Sequence, residues 1–299
     1  MITFNLNRIV ILVLTVLIVS CKTETKSTSI DEAYKKELDS FQMEKDQSRK
    51  SSYLKLTGLF KLNDSITTFG RDSTNTFQLS LEDLPPTIAT IFQTDSTLLF
   101  QAANGVVVKT ANDSAVKTMP LYLDEYGSSV RLYHERLNWQ VITRSNLRFL
   151  RVWDDKNPAI NAFPGFDWFD LNPDLIFNAQ FTYFKQPKEE MVKAEVDGQR
   201  STSFIGQVVF MYDGEMHNLD VGANGFTMVS DITTGETTYG GGRYMYLNLP
   251  KQDSILRLDF NKLYNPPCAF SEFTTCIYPP RQNHLPFEVL AGETIRVIN

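Results

Sequence analysis

Eight polar side chains stand in otherwise apolar stretches: Arg144, Arg151 and Asp154 in one segment, and Tyr239, Arg243, Asp259, Asn261 and Asn265 toward the C-terminus. Arginine presents a planar fork of donors that matches a carboxylate or phosphate. A buried charge has to find an opposite charge, so two arrangements are open. The set converges on a pocket that binds a small or anionic ligand, or each arginine pairs with an internal aspartate, Arg243 with Asp259 for example, and braces a turn. In an extended segment side chains alternate, which puts Arg151 and Trp153 on one face and Val152 and Asp154 on the other. The enzymatic alternative is a hydrolase using carboxylates such as Asp154 and Asp259 as acid and base.

Other chemistry has less to work with. His134, His217 and His284 are the only histidines, leaving few general acids or bases that titrate near neutrality. There is no Gly-x-Ser-x-Gly, His-Glu-x-x-His, phosphate-loop or complete dinucleotide pattern, and no cofactor is expected. Gly240-Gly241-Gly242-Arg243 marks either a close ligand approach or a crowded turn. Cys268, Cys276 and His284 lack a fourth zinc ligand and the usual spacing, so no metal site is expected. A Cys268–Cys276 disulfide is expected instead in an exported chain.

Export is suggested by the N-terminus. One cation, Arg8, precedes the apolar run Ile9–Val19, which is too short to span a bilayer comfortably and fits a secretory signal. Ile18-Val19-Ser20-Cys21 resembles the lipobox of bacterial lipoproteins, which implies an acylated Cys21 at the mature N-terminus. Several acyl chains anchor stably where one does not. Loss of residues 1–20 removes only Arg8 and moves the formal charge from −6 to −7. That balance argues against nucleic acid as a partner.

Residues 21–28 contain no apolar side chain beyond Cys21 and read as a tether. Ser29 and Glu32 form a capping-box pattern, and Ile30, Tyr34, Leu38 and Phe41 make an apolar stripe, so 29–52 holds one amphipathic helix that docks on a sheet edge. From Tyr53 onward short β-branched and aromatic runs alternate with turn pairs such as Asn104-Gly105, Tyr126-Gly127, Asp197-Gly198, Asp213-Gly214 and Asn224-Gly225. The fold class is therefore all-β, a sandwich or barrel of short antiparallel strands preceded by one helix. The expected division is an N-terminal β subdomain over 53–123 and a C-terminal β domain over 124–299.

Thr233–Tyr244 and Asp259–Phe270, with Cys276, Pro279-Pro280, Asn283 and Ala291-Gly292-Glu293, resemble the bacterial and archaeal family called domain of unknown function 1684. Leu56–Phe60, Phe69-Gly70, Arg144, Arg151, Asp154 and Phe163-Pro164-Gly165 extend the likeness upstream. Cys276-Ile277-Tyr278-Pro279-Pro280 stands where members typically carry Cys-Pro-Leu-Pro-Pro. The resemblance implies no activity. A weaker likeness links Phe69–Asn75 to the opening of a forkhead-associated domain, in which a Gly-Arg pair holds a phosphothreonine; Thr87 and Asn104-Gly105 are only loosely placed for its other ligands. The expected function is a cell-envelope protein, held to a bacterial membrane by its N-terminal lipid, that binds a small anionic ligand. A scaffolding lipoprotein is the third alternative.

Overall fold

The computed structural model describes residues 31–295. The signal segment, Cys21, the tether, Ser29 and Ile30 lie outside the described residues. The helix runs Glu32–Ser51, capped by Asp31, whose carboxylate accepts the Ala33 N–H at 3.1 Å. The N-cap is thus Asp31, two residues after the Ser29 of the capping-box pattern, and its carboxylate closes the first turn. Tyr34 and Leu38 bury the predicted stripe, and Arg49 joins them one turn from the end.

Two β bodies follow. In the first, a six-stranded sheet has the order Leu56–Lys61, Leu147–Asp154, Leu137–Arg144, Leu132–His134, Val108–Thr110, Ala115–Val116. A five-stranded sheet, ordered Phe77–Gln78, Ile66–Gly70, Ala89–Gln93, Leu98–Ala102, Thr118–Pro120, faces it. Phe69, Ile91, Phe100, Trp139, Val141, Leu150 and Val152 from both sheets form one core, with the Phe69 ring edge-on to Trp139 at 5.2 Å. The boundary expected at 123/124 is corrected here. Leu147–Asp154 pairs with Leu56–Lys61, and Leu132–His134 with Val108–Thr110, so the strands up to Asp154 complete the first sandwich. Local turn signals near Tyr126 could not reveal that long-range pairing.

The second body pairs a four-stranded sheet (Glu215–Gly222, Gly198–Tyr212, Ile176–Ala194, Ser254–Asp259) with a three-stranded one (Arg243–Tyr246, Phe226–Asp231, His284–Leu285). Phe181, Val208, Leu219, Val229, Leu258 and Phe260 fill the core between them. The pairings are antiparallel apart from two short parallel ones. Asp213 and Gly214 both have positive φ and close the Tyr212–Glu215 hairpin, as an Asp-Gly turn should.

The helix ties the second body to the cleft. Tyr34 donates its hydroxyl to Asp259 at 2.7 Å, and Arg49 contacts Glu293 at 2.7 Å with both side chains buried. The Arg49 guanidinium also lies over the rings of Phe166 and Phe270.

Candidate functional site

Residues opposite one another in an antiparallel pair share a face. Gln140 opposes Arg151, Ile142 opposes Phe149 and Arg144 opposes Leu147. Arg144 and Arg151 therefore stand on one face of the six-stranded sheet. Leu150 and Val152 point the other way, into the sandwich core. Trp153 shares the face of Arg151, and the Arg131 guanidinium covers its ring at 4.0 Å.

That outer face meets the Pro-rich segment of the second body. The segment is held by the end of the strand Ile176–Ala194: Glu195 N–H donates to Cys276 O at 3.0 Å and Tyr278 N–H to Lys193 O at 2.8 Å. Thr275 thereby projects at both arginines. Arg144 Nε donates to Thr275 Oγ1 at 3.3 Å and Arg151 Nη2 to the same oxygen at 3.2 Å. A hydroxyl accepting from two guanidiniums keeps its own proton free to donate.

A cavity of about 420 Å³ opens between the two bodies and the helix, within the size range of small-molecule sites. Arg144, Arg151 and Lys45 supply its charge together with Arg49, which is already paired with Glu293, and Tyr53, Phe226, Tyr244, Tyr246, Tyr264 and Phe270 its aromatic walls. Among the described residues no carboxylate forms an ion pair with Lys45, Arg144 or Arg151, and Arg151 Nε has no partner at all. Burial, and then the charge of Arg144, pull the Arg151 pKa down to about 10. Burial lowers Arg144 as well, with Arg200 adding repulsion, and it lowers Lys45, whose ammonium rests over the Tyr264 ring at 4.0 Å. Burial pushes the Tyr53 and Tyr264 hydroxyls up, so they stay protonated as donors. Asn265, 1% exposed, anchors its amide NH₂ on Thr294 O and leaves Oδ1 unpartnered at the cavity wall.

Of the eight residues singled out in the sequence, Arg144, Arg151 and Asn265 line this cavity and the other five do not. Arg243, 1% exposed, is an internal brace: it contacts Asp231 at 2.9 Å and donates to the carbonyls of Val289 at 2.9 Å and Ala291 at 2.5 Å. Its aspartate is Asp231, not Asp259. Asp154 is clamped by Arg136 through two hydrogen bonds. Asp259 accepts from Tyr34 and from the N–H and side chain of Asn261, while Asn261 ties back to Asn172. The two acids of the hydrolase alternative are thus engaged in separate bodies, and neither lines the cleft cavity.

The triple glycine is a crowded turn. A Cβ on Gly242, at φ +75°, would come within 2.4 Å of the Pro279 ring and 2.8 Å of Val229 O, and one on Gly241 within 2.4 Å of the Tyr239 ring. Tyr239 itself reaches the Cys268 thiol. The expected disulfide is not formed: Cys268 and Cys276 are both free thiols. They are neighbours, with Cys268 N–H donating to Cys276 Sγ at 3.2 Å. His284 stands against Ser230 at 3.2 Å. In the forkhead-like segment Arg71 is exposed beside Asp72, and Thr87 donates to Asn75 Oδ1 at 2.9 Å.

Sequence reasoning missed Lys45, Tyr53, Thr275 and the aromatic walls. Lys45 falls one turn after Phe41 on a helix that reads simply as a cover, and the other walls come from four segments far apart in the chain.

A family profile described as "Protein of unknown function (DUF1684)" matches residues 161–294. The upstream motifs, including Arg144 and Arg151, fall outside that span. No curated protein matches the chain. An uncharacterized protein of Haloarcula marismortui, solved by solution NMR, is 31% identical over 45% of this chain and 78% of its own length, with a TM-score of 0.38. The matched span contains the brace of Arg243, Asn261, Asn283 and the buried Glu293, and over residues 161–294 the chain belongs to the DUF1684 family.

Proposed function

We propose that the protein is a lipid-anchored envelope protein whose cleft binds a small anionic molecule. A carboxylate or phosphate group sits between Arg144, Arg151 and Lys45, accepts a hydrogen bond from the Thr275 hydroxyl, and leaves the rest of the molecule against the tyrosines. The support is one observation: two partly buried guanidiniums converge on a neutral hydroxyl, and neither makes an ion pair with a carboxylate among the described residues. Holding like charges together out of water is unfavourable, and an anion relieves both the repulsion and the missing hydrogen bond at Arg151 Nε. Aromatic faces suit a planar or sugar-like body, since stacking adds area without demanding a specific polar match. Acylation of Cys21 would place the cleft at a membrane surface.

Calorimetric titration with orthophosphate, a nucleoside monophosphate and an aromatic carboxylate, each against its neutral analogue, tests the proposal. Saturable binding of at least one anion that weakens with added salt is expected. Equal binding of charged and neutral members would refute it.

A further inference from the structure

We propose that Cys276, on the wall of this cavity, and Cys268 behind it form a dithiol redox centre, in which Cys276 attacks a small disulfide bearing carboxylates and Cys268 resolves the mixed disulfide. The choice of substrate rests on the anion-binding reading of the cleft; the dithiol centre itself rests on the cysteines.

Cys276 lies between Thr275, which both arginines touch, and Ile277, and all three line the cavity. Its sulfur accepts the Cys268 N–H at 3.2 Å and stands 3.7 Å from the Thr274 hydroxyl. The Cys268 side chain lies within the electrostatic reach of both Cys276 and the Tyr239 hydroxyl. The two thiols have different roles. The hydrogen bond from Cys268 lowers the Cys276 pKa more than burial raises it, while that same bond and burial push Cys268 far up. Arg151 and Cys276 also feel each other's charge. Of the two, Cys276 is the one that lines the cavity, and the thiolate is the reactive form of cysteine, which makes Cys276 the attacking sulfur.

In the first step the Cys276 thiolate forms a bond to one sulfur of R–S–S–R, the S–S bond breaks, and R–S⁻ leaves. Cys268 then loses the thiolate that held its proton. The proton passes to the departing R–S⁻, and the Cys268 sulfur attacks Cys276 Sγ, expelling the second R–S⁻, which takes a proton from solvent. The protein pair is oxidised by two electrons to the Cys268–Cys276 disulfide, and one R–S–S–R is reduced to two R–SH. Arg144 and Arg151 hold the carboxylates of the incoming disulfide.

The test exposes the reduced full-length chain to oxidised glutathione, which carries carboxylates, or to cystamine, which is cationic, with an iodoacetamide quench and peptide mapping of each cysteine. Oxidised glutathione should convert the wild type to the 268–276 disulfide about tenfold faster than cystamine does, a steering effect of ordinary size. Cys268→Ser should accumulate glutathione on Cys276, whereas Cys276→Ser should leave Cys268 largely free. Wild-type protein that forms no 268–276 disulfide with either reagent, or a mixed disulfide trapped on Cys268 in the wild-type quench, overturns the proposal. Disulfide formation at equal rates with both reagents refutes the anionic substrate and the anion-binding cleft, and leaves the dithiol centre standing.

Discussion

Arg243 and Arg151 carry the same guanidinium in opposite circumstances. Every arm of Arg243 is satisfied by Asp231 or by carbonyls of the C-terminal segment, so it resembles a strut. Arg243→Lys keeps the charge but loses the fork and orphans buried carbonyls. It should cost about 3 kcal/mol of unfolding free energy, with anion affinity at low temperature unchanged. Arg151 has one weak bond to Thr275 and an orphaned Nε. Replacing it with Met removes an unpaired, partly buried cation, so the ligand-free protein should become more stable, by about 1 kcal/mol. The same substitution should weaken anion binding at least tenfold through loss of a charge-assisted hydrogen bond. Thermal melts with and without the anion would separate the two effects, and a variant destabilised in both conditions would mark Arg151 as structural.

The helix is the element that closes the cleft, and its hold on the second body depends on Arg49. Arg49 is the cation for Glu293, whose carboxylate also accepts the Asn265 N–H at 2.6 Å. Burial raises the Glu293 pKa, and Arg49 opposes the rise. Arg49→Met leaves an uncompensated carboxylate, which costs about 3–5 kcal/mol when the site stays dry. The folded variant then binds the Glu293 proton more tightly than the unfolded chain does. Its stability is therefore greatest below the ordinary carboxylate range and is lost as pH rises through the raised folded value. Melting temperatures at pH 5 and pH 8 should show a wider gap from wild type at pH 8; a gap independent of pH would mean that Glu293 has found another cation.

At the scale of the whole molecule, two β bodies and one helix share a cleft that none of them contains alone. The strands Leu137–Arg144 and Leu147–Asp154 complete the first sandwich and at the same time present Arg144 and Arg151 to the second body. The lipid anchor proposed at Cys21 lies outside the described residues. Cys21→Ser should leave unacylated protein that is released from membranes by a carbonate wash, and retention in the membrane fraction would refute the lipid anchor.

Short β-branched and aromatic runs and Gly-containing turn pairs determined the all-β class, because strands and hairpins follow from local sterics. Spacing of Tyr34, Leu38 and Phe41 placed the helix, because a stripe at that period must be buried. Arg144 and Arg151 were legible as candidates, since charged forks in apolar strands demand a partner. Which partner each finds depends on pairing across the chain: Arg243 meets Asp231 only because the Val229 and Arg243 strands run side by side, and Arg151 meets Thr275 across 124 residues. Tertiary structure also decided that the two cysteines lie against each other, with Cys276 at the cavity edge, and that Lys45 enters the cavity from a helix. A cleft between bodies is made of faces, and a linear sequence records which residues share a face within one strand but not which faces meet.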